Sequence, residues 1–459
     1  MSQGRAKTLQ QWLEWLEQAH RKPIDLGLER VAVVAQRLSL IPAVAPVITV
    51  GGTNGKGSTV AFLEAMAIAA GYRTGAYTSP HLLHFNERIR IQGESIDDAA
   101  IIAAFAAIDE ARAETSLSYF EFATLAALWL FRREEVDLIL LEVGLGGRLD
   151  AVNILDANVS VVVSVDLDHQ EWLGPDRESI AHEKAGIYRS DRPALCGDRQ
   201  PPKRLQDHAQ AIGSQWLCLG QDFDWRSSAS NVAANASVHP QANTPDDAQS
   251  GTEAWDYLGC EGLTIPNLPP PALLGAYQKD NASLAITALL KARLPRPVTA
   301  EHFAKGLISA RVSGRMQVLS GGPCPILLDV GHNPHAARAL AGYVQSHPPQ
   351  GRCLGVFGVM ADKDLAGIVT PLLPCMDQWF VSQSDLPRAL DAQSLAEQLK
   401  QSGAKQVHAA ASLAQAMDQA CAVARPEDLI VAFGSFHTVA DILSQERFSD
   451  LGACTPSEN

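Results

Sequence analysis

The chain has 459 residues, which at roughly 150 residues per domain allows two or three domains and excludes a peptide or a stapled mini-protein. With 37 Lys and Arg against 51 Asp and Glu, the formal charge of −14 argues against binding nucleic acid through the overall field, so any anionic ligand must be held by local groups. At 46% hydrophobic and 19% charged the composition is globular, and the eight cysteines contain no C-x-x-C pair, which indicates neither a zinc ribbon nor a disulfide framework and fits a reducing cytosol.

In chain order, Trp12, Trp15 and Leu16 form the buried face of a first helix. This amphipathic start lacks the continuous apolar core of a secretory signal, and no apolar run approaches the roughly 18 residues of a membrane span. The expectation is a soluble, cytoplasmic protein that engages neither membrane nor nucleic acid. Residues 47–50, 138–143 and 159–165 are apolar on both alternating faces, as strands are when helices cover both sides of a parallel sheet. Tyr119 and Phe120 head a helix running through Phe131, and Lys184 lies in a helical stretch after Pro175.

Residues 227–252, rich in Ser, Ala, Asn, Gln and Asp, cannot bury enough apolar surface to offset ordering entropy, and read as a mobile surface insertion. From Pro295-Arg296-Pro297 the strand and helix alternation restarts, with a helix at 300–309 and strands at 326–330, 354–357 and 429–433. The expected class is therefore α/β, with an N-terminal P-loop-type parallel-sheet domain over 1–295. A smaller Rossmann-like α/β domain follows over 296–459.

The strongest local signal is Gly51-Gly-Thr-Asn-Gly-Lys-Gly-Ser58 between the first strand and a helix that stops at Gly71. Successive backbone N–H groups and the positive helix end gather there around an anion, with Gly55 and Gly57 in the turn. Lys56 adds a point charge for phosphates, and Ser58 a hydroxyl for metal or phosphate. The spacing departs from a strict Walker A loop, because Gly57 separates Lys56 from Ser58. A glycine-rich connection that binds nothing is the plainer alternative.

That departure resembles the nucleotide loop of the Mur ligase superfamily of ADP-forming amide ligases. Four more segments narrow the resemblance: Ile24-Asp-Leu-Gly-Leu-Glu-Arg-Val31; Thr78-Ser-Pro-His-Leu82 with Phe85-Asn-Glu-Arg-Ile89; Leu141-Glu-Val-Gly-Leu-Gly-Gly-Arg-Leu-Asp150; and the run from His169 to Ile180 leading into Glu183-Lys-Ala-Gly-Ile187. Together they resemble the bacterial bifunctional dihydrofolate synthases/folylpolyglutamate synthases. The resemblance implies ATP-driven joining of L-glutamate to dihydropteroate, and of further glutamates to tetrahydrofolate, through an acyl phosphate.

Two Mg2+ ions are implied on Ser79, Glu142, His169 and Lys184, with Lys184 carbamylated, together with a monovalent cation. Lys56, Lys184 and His169 are the implied catalytic residues. ATP contacts are implied at Gly55, Lys56, Gly57, Ser58, Asn281, Arg315, Asp329 and His332, with the second domain closing over the nucleotide as a monomer. The pterin substrate is assigned to Asp25, Leu26, Gly27 and Leu28, to Tyr119, Phe120 and Glu121, and to Leu149, Asp150 and Ala151.

The residues agree in part with these roles. A carboxylate ending an apolar strand, as Glu142 does, is costly unless paired or metal-bound, and oxygen ligands suit magnesium better than an imidazole does. Arg315 offers a fixed donor fork for phosphate. Three other readings stay open: a folylpolyglutamate synthase alone, a murein-type ligase, and a non-catalytic nucleotide-binding switch.

Overall fold

The computed structural model describes residues 7–20, 25–228, 253–320, 322–386, 388–445 and 448. The chain divides into two compact units, residues 1–223 with 280–310, and residues 224–279 with 311–459. The inserted stretch expected at 227–252 lies outside the described residues from position 229 onward.

The first unit is built on eight strands: β1 (Val47–Gly51), β2 (Thr74–Tyr77), β3 (Ile89–Ile91), β4 (Glu94–Ser95), β5 (Leu138–Glu142), β6 (Val159–Val162), β7 (Pro193–Cys196) and β8 (Gln215–Cys218). Their order is β4-β3-β2-β5-β1-β6-β7-β8. All pairings from β2 to β8 are parallel, and β3 and β4 add an antiparallel edge. β1 lies between β5 and β6, in register Val47↔Ile139 and Ile48↔Val159, and every one of its residues is buried. That double burial is the reason its sequence is apolar on both faces.

The third expected strand stops at Val162 rather than running on to Val165. Beyond it Ser164 turns to the glycine loop, its carbonyl accepting from Thr53 N at 2.8 Å and its hydroxyl from Asn54 N at 3.0 Å. At the N-terminus, helix Leu9–Ala19 starts with a Thr8/Gln11 capping box and buries Leu9, Trp12 and Leu16. Trp15 stays half-buried, edge-on to Trp12 and Phe122.

The division of the chain differs from the cut at residue 296. Arg296 is held on the first unit, its N–H 2.6 Å from the Tyr72 hydroxyl and its guanidinium 2.9 Å from Asp137. Helix Ala300–Ser309 then packs against helix Lys56–Ala69 so closely that a Cβ on Gly306 would come within 2.4 Å of Met66 Cγ. Proline-rich composition signals a break in regular structure, but the chain, having left the first unit after Phe223 and returned at Asp280, leaves it for the second time only after Ala310.

The second unit holds a three-stranded antiparallel sheet of β9 (Asp224–Ser227), β10 (Trp255–Leu258) and β11 (Thr264–Leu268), in the order β11-β10-β9. The insertion therefore interrupts a hairpin whose strands pair Ser227↔Trp255. A six-stranded sheet comprises β12 (Gln317–Leu319), β13 (Ile326–Asp329), β14 (Cys353–Phe357), β15 (Gln378–Val381), β16 (Val407–Ala409) and β17 (Leu429–Phe433), in the order β12-β13-β17-β14-β15-β16. Only β12 runs antiparallel. Phe357, Trp379 and Phe433 pack as an aromatic cluster in its core.

Candidate active site

The glycine loop delivers the chain from β1 into helix Lys56–Ala69, whose N-cap is Gly55. Gly55 has φ +84°, and a Cβ there would lie 2.7 Å from Val163 Cγ1 and 2.8 Å from Asn281 Oδ1, so both conformation and space demand glycine. Lys56 Nζ donates to the loop's own carbonyls, Gly52 O at 3.0 Å and Thr53 O at 3.2 Å, which keeps its charge over the turn. Ser58 is buried in the first helical turn. Asn281, an ATP contact by the family resemblance, belongs to the same unit and reaches the loop at Gly55.

Glu142 ends β5 and is 3% exposed. Its Oε2 accepts from Ser79 N at 3.2 Å and would lie 3.9 Å from a Cβ on Gly57, so the carboxylate looks onto the start of the loop helix. The Ser79 segment is itself held by Glu87, whose carboxylate accepts from the N–H groups of Leu82, Leu83 and His84, all at 2.7 Å. Arg90 binds Glu64 and the Thr78 hydroxyl beside it.

Lys184 would be a solvated lysine on composition alone, yet it is 3% exposed within helix Arg177–Ala185. Burial, reinforced by the like charge of Lys56, lowers its ammonium pKa to about 7, while Asp168 and Asp150 act the other way. His169 caps the short helix Gln170–Leu173 with φ +50°. Its ring is half-exposed, with Nε2 3.9 Å from Asp168 Oδ2.

Among the described residues no three His, Cys, Asp or Glu side chains gather as a metal site by themselves. The expected set also draws on a serine and a lysine. Ser79 and Glu142 are brought together, and hard oxygen donors beside a phosphate loop are the chemistry a divalent cation such as magnesium accepts.

The three segments assigned to the pterin also converge. Asp25 is tied to Glu121 through Arg30, whose Nη1 lies 2.7 Å from Asp25 Oδ2 and whose Nη2 lies 3.0 Å from Glu121 Oε1. Glu121 is buried at the head of helix Tyr119–Arg133, where its other oxygen accepts from Ser118 N at 2.7 Å. Phe120 and Asp150 meet at Gly144: a Cβ there would lie 2.6 Å from Phe120 Cζ and 3.3 Å from Asp150 Oδ2. The buried ring of Tyr77 stands 5.8 Å from that of Phe120. Tyr119 stacks edge-on to Phe85 under the Arg88 guanidinium.

Asp150 is buried and accepts from Gly144 N, Leu145 N and Val152 N. Burial outweighs these bonds and the pull of Lys56, raising its carboxyl pKa to about 6. Ala151 is buried, while Leu26, Gly27, Leu28 and Leu149 are partly exposed, leaving backbone and aliphatic surface for a flat ring. Arg30 is the one cation of the Ile24–Val31 motif, and that composition is the signal by which the sequence offers it. Glu87 and Tyr77 carry no comparable local signal, because their roles depend on folded contacts.

In the second unit, Asp329 ends β13 and is buried, accepting from Met316 N at 3.0 Å and Gly331 N at 2.7 Å. Desolvation raises its carboxyl pKa, opposed by Arg315 and by those two bonds. The Arg315 guanidinium lies 5.1 Å over the Phe436 ring, and the partly exposed His332 stands 6.2 Å from the same ring. Arg315, Asp329 and His332 thus share one end of the six-stranded sheet, where open α/β sheets bind ligands.

Residues 314–436 match the family model described as Mur ligase, glutamate ligase domain. The chain is 42% identical over 438 residues to the dihydrofolate synthase/folylpolyglutamate synthase of Escherichia coli strain K12, spanning 95% of both chains. E. coli FolC in complex with DHPP and ADP superposes with a TM-score of 0.85 at 41% identity, covering 96% of this chain and 98% of that one. The bifunctional folylpolyglutamate synthase/dihydrofolate synthase of Yersinia pestis, complexed with AMPPNP and a Mn ion, gives a TM-score of 0.84 at 39% identity, covering 96% and 99%.

Proposed function

The chain belongs to the dihydrofolate synthase/folylpolyglutamate synthase family, and from that premise we propose that it is an ADP-forming amide ligase. It joins L-glutamate to dihydropteroate to give dihydrofolate, and adds further glutamates to tetrahydrofolate. Amide formation from a carboxylate in water is unfavourable, so the pteroate carboxylate first attacks the γ-phosphate of ATP, giving an acyl phosphate and ADP. The glutamate amine then displaces phosphate.

Each step gathers anions in a protein of charge −14, and fixed donors must offset them. The loop N–H groups of Gly55, Gly57 and Ser58 take the phosphates with Lys56, while Asn281 braces the turn. Arg315, Asp329 and His332 of the second unit are proposed ATP contacts. Ser79, Glu142, His169 and a carbamylated Lys184 would hold two Mg2+ ions, which when bound supply charge neutralisation and polarise the transferring phosphoryl group. A monovalent cation is a further proposed requirement.

Asp25 to Leu28, Tyr119 to Glu121 and Leu149 to Ala151 form the pterin seat. Among the described residues no helix is long and apolar enough to cross a membrane, and we place the protein in the cytoplasm as a monomer.

The observation that carries the reading is the burial of Glu142 and Lys184 near the phosphate loop. A nucleotide-binding switch could use Lys56, Ser58 and a strand-end carboxylate such as Glu142, but it would have no use for the buried amine of Lys184. The test is an incubation with ATP, Mg2+, L-glutamate and dihydropteroate, scoring ADP and the glutamyl amide. Product with both dihydropteroate and tetrahydrofolate is expected. Product with tetrahydrofolate alone would remove the first activity, and none with either would remove the ligase reading.

A further inference from the structure

We infer that Arg30 is the positioning residue of the pterin seat, a clamp that fixes the Asp25–Leu28 segment against the head of helix Tyr119–Arg133; the inference rests on the ligase reading above. Three polar contacts define it. Nη1 meets Asp25 Oδ2 at 2.7 Å, and Nη2 donates to Asp25 O at 2.8 Å and to Glu121 Oε1 at 3.0 Å. The guanidinium thus bonds both backbone and side chain of one segment and the carboxylate of the other, 91 residues away in sequence. A planar fork does this in one fixed geometry, which an ammonium on a flexible stem cannot reproduce.

The clamp propagates to the third segment through rigid structure. Glu121 is locked by its second oxygen into the helix cap, so fixing Glu121 fixes the first helical turn that carries Phe120. Phe120 in turn closes on Gly144, where Asp150 is bonded. Asp25 has a second tether, His20 Nε2 at 3.1 Å from Oδ2, and His20 Nδ1 meets the Ser116 hydroxyl at 2.7 Å.

Arg30 Nε is buried with no acceptor among the described residues. Leaving that donor unmet costs stability, so the side chain is held by its two carboxylate partners rather than by a fully satisfied local packing. A network that tolerates an orphan donor to join two ligand-facing segments is a preorganisation device. Arg30 itself need not touch the ring; it sets the spacing of the surfaces that do.

The experiment measures dihydropteroate and ATP separately, by equilibrium titration and by steady-state kinetics, in wild type, Arg30→Gln and Arg30→Lys. Arg30→Gln is expected to raise the dihydropteroate Kd and KM by about tenfold or more, with the KM for ATP within about twofold of wild type. Arg30→Lys keeps the charge, and with it the fold, but loses the fork; a smaller rise confined to the pterin substrate is expected. In a Glu121→Gln background, Arg30→Gln should add less than it does in wild type, because the two act through one contact.

Unchanged pterin affinity in both variants overturns the inference, as does a parallel loss of ATP and pterin affinity, which marks a merely structural residue. Wild type that binds ATP but no dihydropteroate refutes the functional reading instead, and the clamp falls with it.

Discussion

Replacing Lys184 by methionine should abolish ligation and at the same time stabilise the metal-free protein. The amine is 3% exposed and its pKa is lowered from 10.5 to about 7, chiefly by burial and next by Lys56. Between those two values the unfolded chain holds a proton that the folded chain has released, so folding stability rises with pH across that window. Protonation of the unfolded state therefore opposes folding by about 4 kcal/mol at pH 7 and by about 2 kcal/mol at pH 9.

Methionine fills a similar volume with no titratable group. In chelator-treated, bicarbonate-free buffer, Lys184→Met should exceed wild type by an amount of that order at pH 7, and the excess should shrink by about 2 kcal/mol at pH 9. Urea unfolding at the two pH values measures this directly, and once Mg2+ and bicarbonate are restored the variant should form no product where wild type does. A stability difference that does not change with pH would refute the argument, because it would mean that the amine is not desolvated. So would a wild type more stable than the variant at pH 7.

Three further outcomes follow from steric and electrostatic facts. Gly144→Ala brings a Cβ to 2.6 Å from Phe120 Cζ, and an overpacked seat costs about 1–3 kcal/mol; the KM for dihydropteroate should rise by about fivefold or more while the ATP dependence stays put. Gly55→Ala puts a side chain at φ +84° and 2.7 Å from Val163 Cγ1, so the KM for ATP should rise, or nucleotide binding vanish, without a matching loss of dihydropteroate affinity in titrations. Asp428 is buried yet held to a pKa of about 2, because hydrogen bonds from the Arg352 side chain and from the N–H groups of Arg352 and Arg425 outweigh desolvation. Its contribution is complete above pH 4 and is lost as pH falls toward 2, so Asp428→Asn should flatten the acid limb of a stability-versus-pH curve measured by circular dichroism.

The phosphate loop was legible because everything that specifies it is contiguous: an apolar strand, turn glycines, Lys56, a hydroxyl and a helix start. The same locality let Glu142 be placed at a strand end, and let helix Ala300–Ser309 and strand Leu429–Phe433 be read at their observed limits. Nothing local reports burial on a polar helix, and Lys184 on composition resembles any solvated lysine. Only the packing of helix Arg177–Ala185 turns it into a desolvated amine.

Sequence by itself determined the parallel-sheet class, the family motifs and the residue types on offer for phosphate, metal and pterin chemistry, because periodicity and short-range spacing encode them. The tertiary structure decided what long-range contact alone can decide. It returned residues 296–310 to the first unit and gave 224–279 to the second, set Asn281 against Gly55, and tied Asp25 to Glu121 through Arg30. The physical reason is that desolvation and a shared hydrogen-bond donor are properties of a place, and segments far apart in the chain come to share a place only when the core between them is packed.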